Sequence, residues 1–290
     1  MASEVARRRD LVDENLLGFL SPERCGIPGR LRDAMEYSLS AGGKRIRPVI
    51  LLSAGAAVGG DEAALLPFAC AVEYIHTYSL IHDDLPAMDD DEYRRGRPTC
   101  HKAFGEAAAI LAGDALLTEA FRVMGESALA VGEPGRAIRA IALLARAAGA
   151  EGMVGGQDLD LAARPDEGVE GIHRRKTAAL IEASAGAGGI LAGGTEERIA
   201  ALRRYGAAVG LLFQVTDDIL DETGTFEEMG KAVAKDRKRG KLTYPGQFGM
   251  ASAAARAEAL AVEAGAALAP FGDEAAALRE IVRMVAARRS

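Results

Sequence analysis

Two acidic clusters, one in the first third of the chain and one in the last, restrict the possible folds more than any other feature. The first is Asp83-Asp84-Leu85-Pro86-Ala87-Met88-Asp89, inside the run His82 to Asp91. The second is Asp217-Asp218-Ile219-Leu220-Asp221, inside Phe213 to Asp221. Each gathers its carboxylates within about two helical turns of otherwise apolar sequence. Carboxylates one turn apart repel, and they destabilise a helix unless positive charge sits between them. Two such clusters in one chain suggest a shared cation: Mg²⁺ between two sets of hard oxygens, with a phosphate-bearing substrate completing the shell. If both serve one metal site, the chain must bring them together in one body.

The segments between breakers are mostly helix-length and rich in Ala and Leu. Aromatics make up only 5% of residues and Trp is absent. β-Branched runs with period-two alternation are hard to find, so the chain reads as nearly all helix. Gly42-Gly43 precedes one helix, Gly59-Gly60-Asp61-Glu62 starts another, and Pro86 interrupts the next just after the first Asp pair. Further punctuation falls at 96–99, 132–135, 164–168, 193–195 and 223–230. No Pro/Ser-rich stretch looks like an interdomain linker. The expectation is an all-α protein, a single large helix bundle with residues 1–290 as one domain. The Gly- and Ala-rich stretch 183–194 reads as close helix–helix contact.

A net charge of -7 and a pI near 5.3 argue against a nucleic-acid partner, which would want a basic field. Cys25, Cys70 and Cys100 are widely spaced and form no metal-ligand pattern, which suits structural thiols in a reducing compartment. Residues 1–10 are charged and lack the apolar stretch of a secretory signal. No run approaches the roughly 18–20 uninterrupted apolar residues of a membrane span. A soluble, cytoplasmic protein without stable membrane insertion is expected.

On a helix, Asp217 and Asp221 share a face, with Asp218 adjacent and Gln214 one turn earlier. Phe213, Val215, Ile219 and Leu220 surround them, and no Lys or Arg at i±4 neutralises the charge. The first cluster falls at the C-terminal end of a helix expected over about 66–85. There the macrodipole is negative, so acids need a cation. Neither cluster has the Gly and the 12-residue ligand spacing of an EF-hand. Among basic residues, Lys44 and Arg47 share one turn at a helix start with free N–H groups, a ready anion site. Arg94 and Arg95 follow the first cluster, and Arg matches phosphate oxygens bidentately. Lys176, Lys231 and Lys241 add isolated positive points. His76 is a candidate donor to a second phosphate, whereas His82, His101 and His173 read as structural. There is no Cys/His zinc pattern and no nucleotide-binding glycine loop.

Taken in order, these motifs resemble the trans-isoprenyl diphosphate synthases, in particular the short-chain bacterial group that makes farnesyl or geranylgeranyl diphosphate. The matching segments are 43–48, 82–91 with Arg94-Arg95-Gly96, Gly156-Gln157-Asp158-Leu159-Asp160, Lys176-Thr177, 213–221 and 240–245. An Asp-rich motif alone is weak evidence, but six in order are specific. The resemblance implies an all-α isoprenoid synthase fold with a deep central cavity, and a homodimer. It implies Mg²⁺, three ions per site, held by Asp83, Asp84 and Asp89 on one side and by Asp217, Asp218 and Asp221 on the other. The allylic diphosphate would also touch Arg94, Lys176, Gln214, Lys231 and Lys241, with Thr177, Gln214 and the Lys176 region bordering the carbocation. Isopentenyl diphosphate would use Lys44, Arg47, His76 and Arg95. The catalytic set would be Asp83, Asp84, Asp89, Lys176, Asp217 and Asp218, with no protein nucleophile.

By the same resemblance, product length is set on the helix before Asp83, at Tyr78 and Ser79. Tyr78 lies about 7.5 Å along the helix from the Asp pair. With the two extra residues in the Asp83–Asp89 spacing, this looks like a farnesyl synthase, with geranylgeranyl diphosphate as the alternative product. A class I terpene cyclase is the rival enzyme, disfavoured by Lys44, Arg47 and Arg95. A non-catalytic synthase subunit is disfavoured by the two intact clusters. The C-terminal Arg288-Arg289-Ser290 reads as a solvated tail rather than a closure over the site.

Overall fold

Caps and breakers set the helices. The computed structural model describes residues 3–162, 168–223 and 242–289. Helices α1 (Glu4–Asn15), α2 (Gly29–Leu39), α3 (Ile46–Ala57) and α4 (Glu62–Asp83) come first. A two-stranded antiparallel hairpin follows, β1 (Tyr93–Arg94) with β2 (Arg97–Pro98). Then come α5 (Cys100–Phe104), α6 (Glu106–Glu126), α7 (Pro134–Ala148), α8 (Met153–Leu161) and α9 (Gly168–His173). A π-helical turn at Arg174–Ala178 leads into α10 (Ala179–Leu191) and the long α11 (Glu196–Thr223). Beyond it lie α12 (Tyr244–Phe248), α13 (Met250–Ala267) and α14 (Ala276–Ala286). The fold is all-α, as expected, and the hairpin is the sole sheet among the described residues.

Helix α4 is offset from its expected range. Asp61 caps it by accepting a hydrogen bond from the Ala63 N–H at 3.1 Å, and the acidic Glu62 suits the positive end of the dipole. It stops at Asp83 because Pro86 disfavours helical geometry at Leu85. By length and composition α4 could cross a membrane. Here it is a core helix, with Phe68, Ala69, Cys70, Val72, Tyr74 and Ile75 fully buried. Each large apolar side chain so buried stabilises the fold by about 1.5–3 kcal/mol.

Helix α10 packs against α3, α7 and α11, and α4 packs against α3 and α6. The small residues of 183–194 permit this, as the sequence suggested. A Cβ on Gly188 would lie 2.2 Å from the Leu51 carbonyl oxygen of α3, so only a bare backbone fits there. Helix α11 runs about 42 Å at 1.5 Å per residue. Its start is fixed by Thr195, whose hydroxyl accepts from the Arg198 N–H, and by Glu196 and Glu197 in the first turn. The end of α4, the C-terminal half of α11 and the start of α3 converge on adjoining cavities.

Candidate functional site

The first acidic cluster is organised by the loop after α4. The Asp89 N–H donates to the Asp83 carbonyl at 2.8 Å, and the Asp91 N–H to the Asp84 carbonyl at 3.2 Å. The loop thereby folds back over the helix end and satisfies its last carbonyls. The two leading aspartates then part company. Asp84 is buried and gripped by Arg94, whose Nε lies 2.8 Å from one carboxylate oxygen and 2.9 Å from the other. Asp83 lines the larger cavity and receives no side-chain hydrogen bond among the described residues. Burial pushes its carboxyl up to about 6; Lys176 opposes the shift, while Asp89 and Asp84 add repulsion.

The second cluster divides in the same way. Asp218 is buried, accepts the Tyr244 backbone N–H at 2.7 Å and lies 3.4 Å from His173 Nε2. Asp221 is buried as well. Asp217 lines the cavities instead. Its partner comes from the far end of the chain: Arg288 Nη2 donates to its carboxylate at 2.7 Å while the guanidinium covers the Phe213 ring at 4.5 Å. This corrects the expectation of a solvated tail. The apolar face of α14, with Leu278, Ile281, Val282 and Val285, packs on α11 and α3 and carries Arg288 to the site.

The basic wall rests on a residue that sequence reasoning left aside. Arg45 is buried in the left-handed conformation (φ 47°) and donates to Glu73 at 2.6 Å, Asp13 at 2.7 Å and the Leu39 carbonyl at 2.7 Å. It pins the turn so that Lys44 and Arg47, on either side, line the 440 Å³ cavity with His76 and Arg95. Arg95 donates to the Gly42 carbonyl and crowds Gly43, whose φ of 144° few other residues adopt. Among the described residues, Arg47 Nε and His76 Nδ1 are buried without hydrogen-bond partners. Burial pulls Arg47 down to about 10, with Glu73 opposing and Arg95 repelling. Burial, together with Arg47 and Arg95, holds His76 well below its usual value. Buried polar atoms left unpaired are costly, and here the two residues line an open space suited to an anion.

The 600 Å³ cavity adjoins this one and shares Arg47, His76, Arg95, Phe213 and Asp217 with it. Its polar rim includes Asp83, Arg94, Lys176, Thr177 and Gln214, while Tyr78, Leu80, Met88, Met153 and Leu161 supply apolar wall. The π turn widens the helix at Lys176-Thr177, a distortion frequent at functional sites. Lys176 is not an isolated charge: its Nζ donates to Asp160 at 2.6 Å. Thr177 donates to Gln214 at 2.6 Å. Ser79 also lines the cavity, but its hydroxyl is spent on the His76 carbonyl at 2.9 Å. His82, read from sequence as structural, lines the cavity too. Lys231 and Lys241 lie outside the described residues. From sequence, Arg45 and Asp160, both inside quoted motifs, carry no assigned role, and Arg288 reads as part of a solvated tail.

Among the described residues, no three His, Cys, Asp or Glu side chains form a ready-made metal site. Mg²⁺ does not require one. It is commonly held by one or two carboxylates plus substrate phosphates and water. The donor set fits that mode: Asp83 is a partly desolvated carboxylate without a side-chain donor among the described residues, and Asp217 already pairs with a cation.

The family model described as polyprenyl synthetase matches residues 28–281. The chain belongs to the polyprenyl synthetase family. The synthase is 50% identical over 271 residues to geranylgeranyl pyrophosphate synthase 11, chloroplastic, of Arabidopsis thaliana, covering 91% of this chain and 76% of that one. It is 48% identical to the geranylfarnesyl diphosphate synthase, chloroplastic, of Leucosceptrum canum, covering 90% and 74%. Among solved structures it resembles an FPP/GFPP synthase from Zymomonas mobilis, with TM-score 0.83, 36% identity and 97% of each chain covered. The geranylgeranyl pyrophosphate synthetase of Pyrococcus horikoshii Ot3 gives TM-score 0.82 at 31% identity, with 98% of each covered. The synthase is thus a short-chain prenyltransferase of the all-α isoprenoid synthase fold.

Proposed function

We propose that this prenyltransferase condenses isopentenyl diphosphate with a C5 or C10 allylic diphosphate and stops at farnesyl diphosphate. The observation that carries the two-substrate reading is the pair of adjoining cavities. One is lined by Arg47 and His76, each with a buried nitrogen unpaired among the described residues, and the other has Asp83 and Asp217 beside apolar wall. Bound Mg²⁺ would supply Lewis-acid neutralisation of the departing diphosphate. Arg94 and Lys176 add positive charge around its oxygens, where exclusion of water strengthens every such interaction. The allylic C–O bond breaks with its electron pair leaving on the diphosphate. Thr177, Gln214 and the Lys176 region border the resulting cation. Lys44, Arg47, His76 and Arg95 hold isopentenyl diphosphate so that its double bond attacks that cation. The new C–C bond leaves positive charge on the isopentenyl unit, and loss of a proton to the released diphosphate restores a double bond. Water must be kept out because it would quench the cation.

The farnesyl product rests on Tyr78, which is 6% exposed and lines the apolar wall one helical turn and more below Asp83. Tyr78→Ala is expected to shift products to longer chains; an unchanged product profile by chromatography removes Tyr78 as the floor. Geranylgeranyl diphosphate is the second reading, favoured by the relatives near 50% identity that carry that product in their names. The homodimer implied by resemblance is kept as a proposal, consistent with the exposed Ile110 and Leu111 on α6; light scattering of the purified protein tests it. Incubating the protein with isopentenyl diphosphate, Mg²⁺ and each of the C5, C10 and C15 allylic partners decides the product. A stop at C15 supports the first reading and a stop at C20 the second. Failure to consume isopentenyl diphosphate defeats both.

A further inference from the structure

Tyr78 has a floor's position but nothing polar to hold it there: its hydroxyl makes no hydrogen bond among the described residues. Its ring instead meets the His82 imidazole edge-on, one turn later on α4, with centroids 5.8 Å apart and planes at 78°. His82 is fixed from the other side. Its Nε2 lies 3.0 Å from the Ile110 carbonyl oxygen of α6. A carbonyl can only accept, so Nε2 carries the proton and donates. The ring can reach that oxygen because α6 presents Gly113 beneath it. A Cβ there would stand 2.1 Å from Nε2, 2.5 Å from Cδ2 and 2.7 Å from Cε1.

We propose that His82, seated on the bare backbone of Gly113, is a positioning residue that braces Tyr78 and thereby sets product length. The proposal rests on the reading of Tyr78 as the floor. Neither brace residue need touch the reacting atoms. Both act through the phenol, which packs edge-on against the imidazole and has no hydrogen bond among the described residues. Removing the imidazole leaves the Tyr78 ring free to turn aside and deepen the cavity. A methyl at Gly113 does the same by steric means, since the atoms it meets belong to the movable end of a side chain rather than to backbone.

The test is the product-length distribution after long incubation with isopentenyl diphosphate, a C5 starter and Mg²⁺, in Tyr78→Ala, His82→Ala, Gly113→Ala and the two double variants carrying Tyr78→Ala. A purely structural role would slow turnover or lower the melting temperature without changing this ratio. His82→Ala and Gly113→Ala are each expected to raise the fraction of longer products several-fold. In the Tyr78→Ala background neither should add a further shift, because the floor they brace is gone. The two variants act by opposite means, loss and gain of atoms, so poor folding of one leaves the other decisive. Lengthening by Tyr78→Ala with no shift in either brace variant overturns the brace and leaves the floor standing. Shifts that persist undiminished in the Tyr78→Ala background also overturn it. If Tyr78→Ala itself leaves the products unchanged, the floor reading fails, and the brace with it.

Discussion

The two acidic clusters solve the same problem in the same order but end in different electrostatic states. In each, the first aspartate of the pair faces the cavity and the second is buried in the scaffold. Asp84 is clamped by Arg94 and Asp218 by the Tyr244 N–H, while Asp83 and Asp217 look into the open space. The difference lies in what the open aspartates meet. Asp217 is already paired with Arg288, whereas Asp83 has no side-chain donor among the described residues and burial pushes its carboxyl up to about 6. Adjacent aspartates that look equivalent in sequence therefore divide into a ligand candidate and a framework residue. Among the described residues, one of the two ligand candidates, Asp217, is held by a cation from the chain itself.

The largest effect that tests this division is loss of turnover. Asp83→Ala and Asp217→Ala are each expected to cut the rate in saturating Mg²⁺ by at least ~10³-fold, since each removes charge that stabilises the departing diphosphate. Near-normal isopentenyl incorporation in either variant breaks the two-sided metal model. The next effect is on stability beneath the basic wall. Arg45→Ala leaves Glu73 buried and unpaired, and removing one partner of such a pair costs about 3–5 kcal/mol. Denaturant unfolding measures it, and a loss near zero would mean that Arg45 does not hold the turn.

A smaller effect separates framework from ligand in the second cluster. Asp218→Ala leaves the buried Tyr244 N–H without its acceptor, and is expected to cost about 1–3 kcal/mol in the absence of substrate and metal. Unchanged unfolding would move Asp218 into the same class as Asp217. The smallest effect is expected at Arg288, whose guanidinium competes with any metal for Asp217. Arg288→Ala should lower the Mg²⁺ concentration needed for half-maximal rate a few-fold. A higher requirement would instead make Arg288 a partner of the substrate rather than a competitor of the metal.

Much of this was legible in the chain. Helix-length intervals between Gly and Pro breakers gave the all-α fold, and charge placed against the α4 macrodipole marked the first cluster. Arg47, His76 and Gln214 line the cavities from α-helices and Lys176 and Thr177 from the π turn, whereas Lys44 does so from the turn before α3 rather than from the helix start expected. What escaped was tertiary. Arg288 reaches Asp217 only because α14 folds back onto α11 and α3, which no local pattern encodes. From sequence Arg45 carries no role beside Lys44 and Arg47, because nothing local shows that its left-handed backbone turns it into the core towards Glu73. The division of each Asp pair was equally hidden, since it depends on a loop returning over the end of α4 and on Tyr244 approaching from beyond α11.

The most direct test is a double-mutant cycle on Asp83→Asn and Asp217→Asn, read as Mg²⁺-dependent incorporation of isopentenyl diphosphate into prenyl product. If the two aspartates hold one metal–diphosphate assembly from opposite sides, the double variant should be little slower than the worse single variant. Losses that multiply independently, or a single variant that turns over normally, would contradict a shared site.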